Sequence, residues 1–171
     1  MVGRDRVVPA ISNFYCEKNE DVQEFLRSTA IEFEYKNISR TYVFIDEDQL
    51  INDDVIAILG YFTITMKSIA FTEEVSKSLR KKITSNKHAD QAVGYLIGQV
   101  GKNDEYIEYI TGKEIVETAI ELIFELFAKL GGRFVIVECE DHPKLLEFYE
   151  RLEFKLIQEN DDFVQLYRAL A

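Results

Sequence analysis

Residues 134–157, FVIVECEDHPKLLEFYERLEFKLI, read as a buried strand, a polar turn, an amphipathic helix and the start of another strand. Phe134 to Val137 is a continuous apolar run with β-branched residues, the pattern of a central strand covered on both faces. Glu138, Glu140 and Asp141 follow at its carboxyl end, the edge where open α/β sheets place ligands. Pro143 fits a first helical turn, where its missing N–H costs nothing, with Asp141 or His142 as the cap. Leu145, Leu146, Phe148, Tyr149 and Leu152 then give the helix an apolar face, and Phe154 opens the next strand.

The aromatic frame Phe148-Tyr149 to Phe154 resembles the C-terminal motif of the GNAT superfamily of acyl-CoA-dependent N-acetyltransferases, N-x-x-A-x-x-F-Y-x-x-x-G-F. His142 stands where Asn is usual, Leu145 for Ala, and Glu153 where Gly precedes the last Phe. The resemblance implies that Tyr149 protonates the leaving CoA thiolate, and it places His142 with the cofactor-binding residues. A Tyr beside a Phe on a packed helix is also what an amphipathic core residue looks like.

The whole chain is 171 residues, one domain in length (1–171), with 47% apolar and 30% charged residues. Its N-terminus lacks the apolar run of a signal or membrane anchor, so no membrane association and a cytoplasmic location are expected. Two cysteines without a CxxC pair indicate neither a disulfide framework nor a zinc site, and His88 and His142 lack ligand spacing. A net charge of −11 argues against broad affinity for nucleic acid and suits an amine-bearing acceptor. Against that background Lys77, Arg80, Lys81, Lys82 and Lys87 form a run with no acid between them, the pattern of a solvated helix face or a local basic patch.

Taken in order, Asn19 can cap a helix that ends near Asn37, and residues 40–45 form a strand stopped by the acidic turn Asp46-Glu47-Asp48. Residues 55–71 read as one bent strand or two with a break near Gly60. Thr72 is expected to cap a helix with Glu73 and Glu74 in its first turn and Val75, Leu79 and Ile83 on one stripe. Residues 91–100 form a strand interrupted by glycines, and Gly94, Gly98 and Gly101 mark places where the backbone must stay bare. A loop leads to a long helix opened by Gly112 and closed by Gly131-Gly132. Two last strands, 154–158 and 163–168, flank a polar turn at residues 159–162.

A glycine-interrupted strand, a loop and a helix opened by Thr-Gly can hold a pyrophosphate, because first-turn N–H groups and the helix dipole face an anion there. In GNAT enzymes CoA lies at this place, its pantetheine along the splayed strand and its pyrophosphate on an R/Q-x-x-G-x-G/A loop. LIGQVGK resembles the family's strand, while residues 107–112 keep only the final Gly112 of the loop motif. Ile110 replaces the middle glycine, Glu108 adds negative charge, and Lys102 and Lys113 can supply positive charge. The resemblance thus implies acetyl-CoA as cofactor, held by Val100, Gly101, Lys102, Ile110, Thr111, Gly112, Lys113 and His142. The order of elements in the front half is similar to the toxin-type branch, whose members acetylate aminoacyl-tRNA.

The expected architecture is an α/β GNAT-like single domain, a mixed, largely antiparallel sheet with helices on both faces and an opening between the strands near Gly98 and Val135. The expected activity is acetyl transfer from acetyl-CoA to a primary amine, with Tyr149 as acid and Glu140 or water taking the amine proton. Small-molecule or peptide amines are favoured over tRNA by the net charge. A non-catalytic regulatory or interaction module of the same fold is the alternative.

Overall fold

A computed structural model of the chain describes residues 4–160 and 163–170, so Asp161 and Asp162 of the expected last turn lie outside the described residues. The elements in order are α1 (Arg4–Ser12), α2 (Glu20–Glu24), a π-helical turn (Phe25–Thr29), α3 (Ala30–Tyr35), β1 (Arg40–Ile45), α4 (Glu47–Asp53) and β2 (Ile58–Ala70). Then follow α5 (Lys77–Thr84), β3 (Gln91–Lys102), a 3-10 turn (Asp104–Tyr106), α6 (Gly112–Leu130), β4 (Phe134–Cys139), α7 (Pro143–Arg151), β5 (Lys155–Glu159) and β6 (Val164–Ala169). The strands make one sheet in the order β1-β2-β3-β4-β6-β5. The β1–β2, β4–β6 and β5–β6 pairs are antiparallel and β3–β4 is parallel, the mixed and largely antiparallel sheet the sequence led us to expect. By packing, the chain divides into two compact units. One runs to Ile64 and includes Gln99–Val116; the other comprises Thr65–Gly98 and the chain from Glu117 onward.

In the first unit Asn19 caps α2 as expected, accepting from the Val22 N–H at 3.1 Å, and Asn37 takes the left-handed conformation at φ 56°. Phe14, Leu26 and Tyr61 are fully buried in one cluster with α1 and α2. The Tyr61 hydroxyl donates to the Val22 carbonyl at 2.6 Å, so the buried phenol is satisfied. Successive strand residues point to opposite faces. Tyr61 packs on this cluster, whereas a Cβ on Gly60 would meet Ile115 of α6, so helices cover both faces of β2 here. Near Gly60 the strand does not break. It carries one extra residue, because Phe44 faces Gly60 while Ile45 faces Ile58, leaving Leu59 as a bulge. The acidic stretch after β1 is no simple turn. Asp46 accepts from the Gln49 N–H at 3.1 Å and caps α4, and the backbone hydrogen bonds lower its pKa.

In the second unit Phe134, Val135, Ile136 and Val137 are all buried, as a strand covered on both faces requires. Phe134 and Ile136 join Ile69, Ile83, Ile157 and Tyr167 in one cluster. The helix expected from Thr72 starts later: Ser76 is the cap of α5, accepting from the Leu79 N–H at 3.2 Å. Arg80 explains the delay. Its guanidinium donates to the carbonyls of Thr72, Val75 and Ala89, and this holds residues 72–75 as a turn, with Glu73 and Glu74 ahead of the helix. The same bonds remove Arg80 from the basic face that the sequence suggested.

Candidate active site

At the carboxyl end of β4, Glu138 is not available to a substrate. Its two oxygens take the Lys67 ammonium at 2.7 Å and the Gln165 amide at 2.7 Å, and Gln165 is bonded in turn to Gln158. The acidic cluster read from the sequence therefore reduces to Glu140 and Asp141, both exposed. His142 settles the choice of cap for α7: its Nδ1 accepts from the Lys144 N–H at 3.2 Å, as the Asn it replaces would through its side-chain oxygen. An accepting Nδ1 leaves the imidazole proton on Nε2.

Helix α7 buries Tyr149 and leaves Leu145 exposed, and Leu152 just past its end is buried. The Tyr149 ring makes edge contacts with Phe148 and Phe154, centroids 5.1 and 5.5 Å away. Burial, reinforced by the nearby Cys139 sulfur, pushes the phenol well above its ordinary pKa. The Cys139 thiol is raised as well, by burial and by the charges of Asp141 and Glu140. That the Cys139 sulfur acts on Tyr149 is not legible in the sequence, where the two lie ten positions apart. Glu153, in the place of the family's glycine, adopts φ 66°, so the position does ask for the left-handed conformation. A side chain there costs about 1–2 kcal/mol, and Glu153 is tied by an ion pair to Arg168 at 2.9 Å.

The β3–β4 pairing ends at Ile97↔Val137, though β3 runs on to Lys102 and β4 to Cys139. Toward β2, the Gln99 N–H donates to the Thr63 hydroxyl at 2.9 Å and the Asn103 N–H to the Leu59 carbonyl at 2.9 Å. Backbone direction alternates along a strand, so Gly101 also addresses β2, while the N–H and C=O of Val100 and Lys102 point the other way. Gly101 is bare for a packing reason: a Cβ there would strike the Tyr61 ring and come within 2.6 Å of Val22 Cγ1. Gly94 is bare for Phe134, whose ring would lie 2.6 Å from its Cβ.

Before α6, Ile110 turns inward and is buried, so its side chain does not stand over the helix start. The Lys102 ammonium bonds the Ile107 carbonyl at 3.3 Å. Thr111 and Glu114 form a capping box. The Thr111 hydroxyl accepts from the Glu114 N–H at 3.2 Å, and the Glu114 carboxylate accepts from the Thr111 N–H and hydroxyl, both at 2.7 Å. These bonds hold the Glu114 carboxyl below the usual carboxylate range. The helix start thus already carries an anion, and two of its amide donors are engaged.

A mixed sheet in which α6 links the two parallel strands, with α7 following β4, defines a GNAT-like fold. No family profile matches the chain, and no curated protein does. Among solved structures the chain is similar to AtaT complexed with acetyl-methionyl-tRNAfMet, at 19% identity and TM-score 0.73 over 93% of this chain and 86% of that one. It is also similar to AtaTR bound with acetyl-CoA, at 20% identity and TM-score 0.70 over 94% and 86% of the two chains. A tyrosine-to-phenylalanine mutant of KacT matches at 20% identity and TM-score 0.72 over 94% and 87%. At these identities the likeness is one of fold alone.

Proposed function

We propose that this chain, acting as a single domain, is an acyl-CoA-dependent N-acetyltransferase that moves an acetyl group from acetyl-CoA to a primary amine. The observation that supports the reading is the direction of the backbone groups at the end of β3, where those of Val100 and Lys102 point away from β2. Those groups suit the pantetheine amides, and N–H groups so placed suit the thioester oxygen as negative charge develops on it. Thr111, Gly112 and Lys113 would meet the diphosphate, and there the fit is partial, because Glu114 already places a carboxylate at the same helix end. His142 keeps α7 in position through its cap. When bound, the cofactor supplies the activated acetyl group. Tyr149, kept neutral by burial, gives its proton to the departing thiolate, and Glu140 or water takes the proton lost by the attacking amine.

For the acceptor, the net charge of −11 and the exposed Glu140 and Asp141 favour a small-molecule or peptide amine. A second reading, an aminoacyl-tRNA acceptor, is supported by the likeness to AtaT solved with acetyl-methionyl-tRNAfMet. The test is calorimetric titration with CoA, together with release of free thiol from acetyl-CoA in the presence of an amine panel. Binding with amine-dependent thiol release is the expected result. If CoA neither binds nor raises the melting temperature, the reading fails and a non-catalytic interaction module takes its place.

A further inference from the structure

The second unit holds a cleft of about 360 Å³ that the acyl-transfer reading does not use. Lys82 of α5, Lys155 of β5, Arg168 of β6 and Phe124 of α6 line it together with Glu153. Its position is fixed by strand register: Ala169, also in the lining, pairs with Phe134 at the start of β4, whereas Gln165 pairs with Glu138 near its end. The four steps from one to the other span about 13 Å, so the cleft lies at the end of β4 opposite the one that carries Cys139.

Three cations from three elements face one carboxylate there, in a chain of net charge −11. Among the described residues neither the Lys82 nor the Lys155 amine has an ion-pair or hydrogen-bond partner, and both side chains are exposed. Arg133 fixes the surroundings: its Nε donates to Ile83 O at 2.9 Å and its carbonyl accepts from the Leu170 N–H at 2.9 Å, tying α5 to the cleft's edge. Glu153 is a non-glycine residue in the left-handed region whose carboxylate holds Arg168 at 2.9 Å. An arginine fork flanked by two ammonium groups matches the several oxygens of a phosphate better than the two of a carboxylate. The volume also exceeds what one carboxylate fills, and the exposed Phe124 ring adds an apolar wall.

We propose that this cleft is a phosphate-binding site separate from the transfer site. Lys82, Lys155 and Arg168 are its donors, and Glu153 is an internal carboxylate that positions Arg168 and yields it to the incoming anion. The phosphates belong either to a free oligophosphate or to a nucleic-acid backbone. The inference does not depend on acetyl transfer. It is tested with inorganic tripolyphosphate by calorimetry and with a short fluorescent RNA duplex by anisotropy, at low salt. The doubly reversed Lys82→Glu/Lys155→Glu protein changes only exposed side chains and should lose at least about tenfold in affinity for whichever probe binds. CoA titration of the same variant should be unchanged, which separates this site from the cofactor's. Glu153→Gln should bind the anion more tightly than the unaltered protein, because Arg168 is released. Tripolyphosphate binding identifies a free oligophosphate as sufficient, and binding of the duplex alone identifies the nucleic-acid backbone. Failure of both probes at millimolar concentration, or equal binding by the reversed variant, overturns the proposal.

Discussion

At Tyr149 burial does two things at once: it packs the ring against Phe148 and Phe154, and it keeps the hydroxyl protonated. Tyr149→Phe separates them, since the ring stays and the proton goes. Turnover should fall by roughly a hundredfold or more if the phenol is the acid, with melting temperature and CoA affinity nearly unchanged. Full turnover in the variant, measured where chemistry limits the rate, would return Tyr149 to a packing role. Glu114 poses the opposite problem, a charge that opposes the cofactor. Glu114→Gln preserves the reach-back to Thr111, because Gln also completes a capping box. The variant should therefore fold as well as the parent at neutral pH and bind CoA more tightly by calorimetry; equal affinity would show that the carboxylate moves aside without cost. The Glu114 carboxyl has a lowered pKa in the folded state, so its contribution to stability is present above its unfolded pKa. That contribution is lost as pH falls through the folded value. Acid melting curves of the Gln variant should lack this component. The Thr111-x-x-Glu114 signature is local and legible in the sequence, as a capping box is.

Among the elements, what the sequence showed well were those with long unambiguous patterns. The four buried residues of β4 and the Gly112–Leu130 helix each carry a period that admits one interpretation, and the Asn19 cap was legible too, although the helix expected to run to Asn37 is interrupted by the π-helical turn Phe25–Thr29. Less legible were short elements whose boundaries depend on partners far along the chain. The start of α5 depends on Arg80 reaching Ala89, a contact no local window contains. Helix α4 was hidden because Asp46-Glu47-Asp48 looks equally like a turn, and only the Asp46 bond to Gln49 decides it. Helix α1 carries Pro9 within it and was not anticipated. The glycines of β3 were recognised as positions needing a bare backbone, and the reason at Gly101 proves to be the Tyr61 ring and Val22. Gly101→Ala should consequently cost about 1–3 kcal/mol through overpacking, read as a lowered urea midpoint with an unchanged slope. An unaltered midpoint would mean that the Tyr61 cluster accommodates a methyl group and that Gly101 serves something else.

On the scale of the whole molecule, the acceptor question sets global charge against local charge. At −11 the chain repels a polyanion at long range, but screening in physiological salt confines that repulsion to about 8 Å, so contact surfaces decide. Folding changes both local surfaces. It withdraws Glu138 from the acidic end of β4 by pairing it with Lys67, and it withdraws Arg80 from the basic run by bonding it to three carbonyls. What remains is Glu140 and Asp141 at one place and Lys77, Lys81, Lys82 and Lys87, all exposed, at another. The two exposed acids are enough to attract a small cation, so a polyamine or lysine-bearing peptide is the expected acceptor. The decisive measurement is transfer of labelled acetyl from acetyl-CoA to aminoacyl-tRNA in one series and to polyamines and lysine peptides in another. Labelling confined to the amines, and weakened by Glu140→Gln/Asp141→Asn, is the expected outcome. Robust labelling of aminoacyl-tRNA that disappears in Lys81→Glu/Lys82→Glu, with labelling of small amines preserved in that variant, would reverse the assignment. It would show that the exposed lysines outweigh the net charge of the chain.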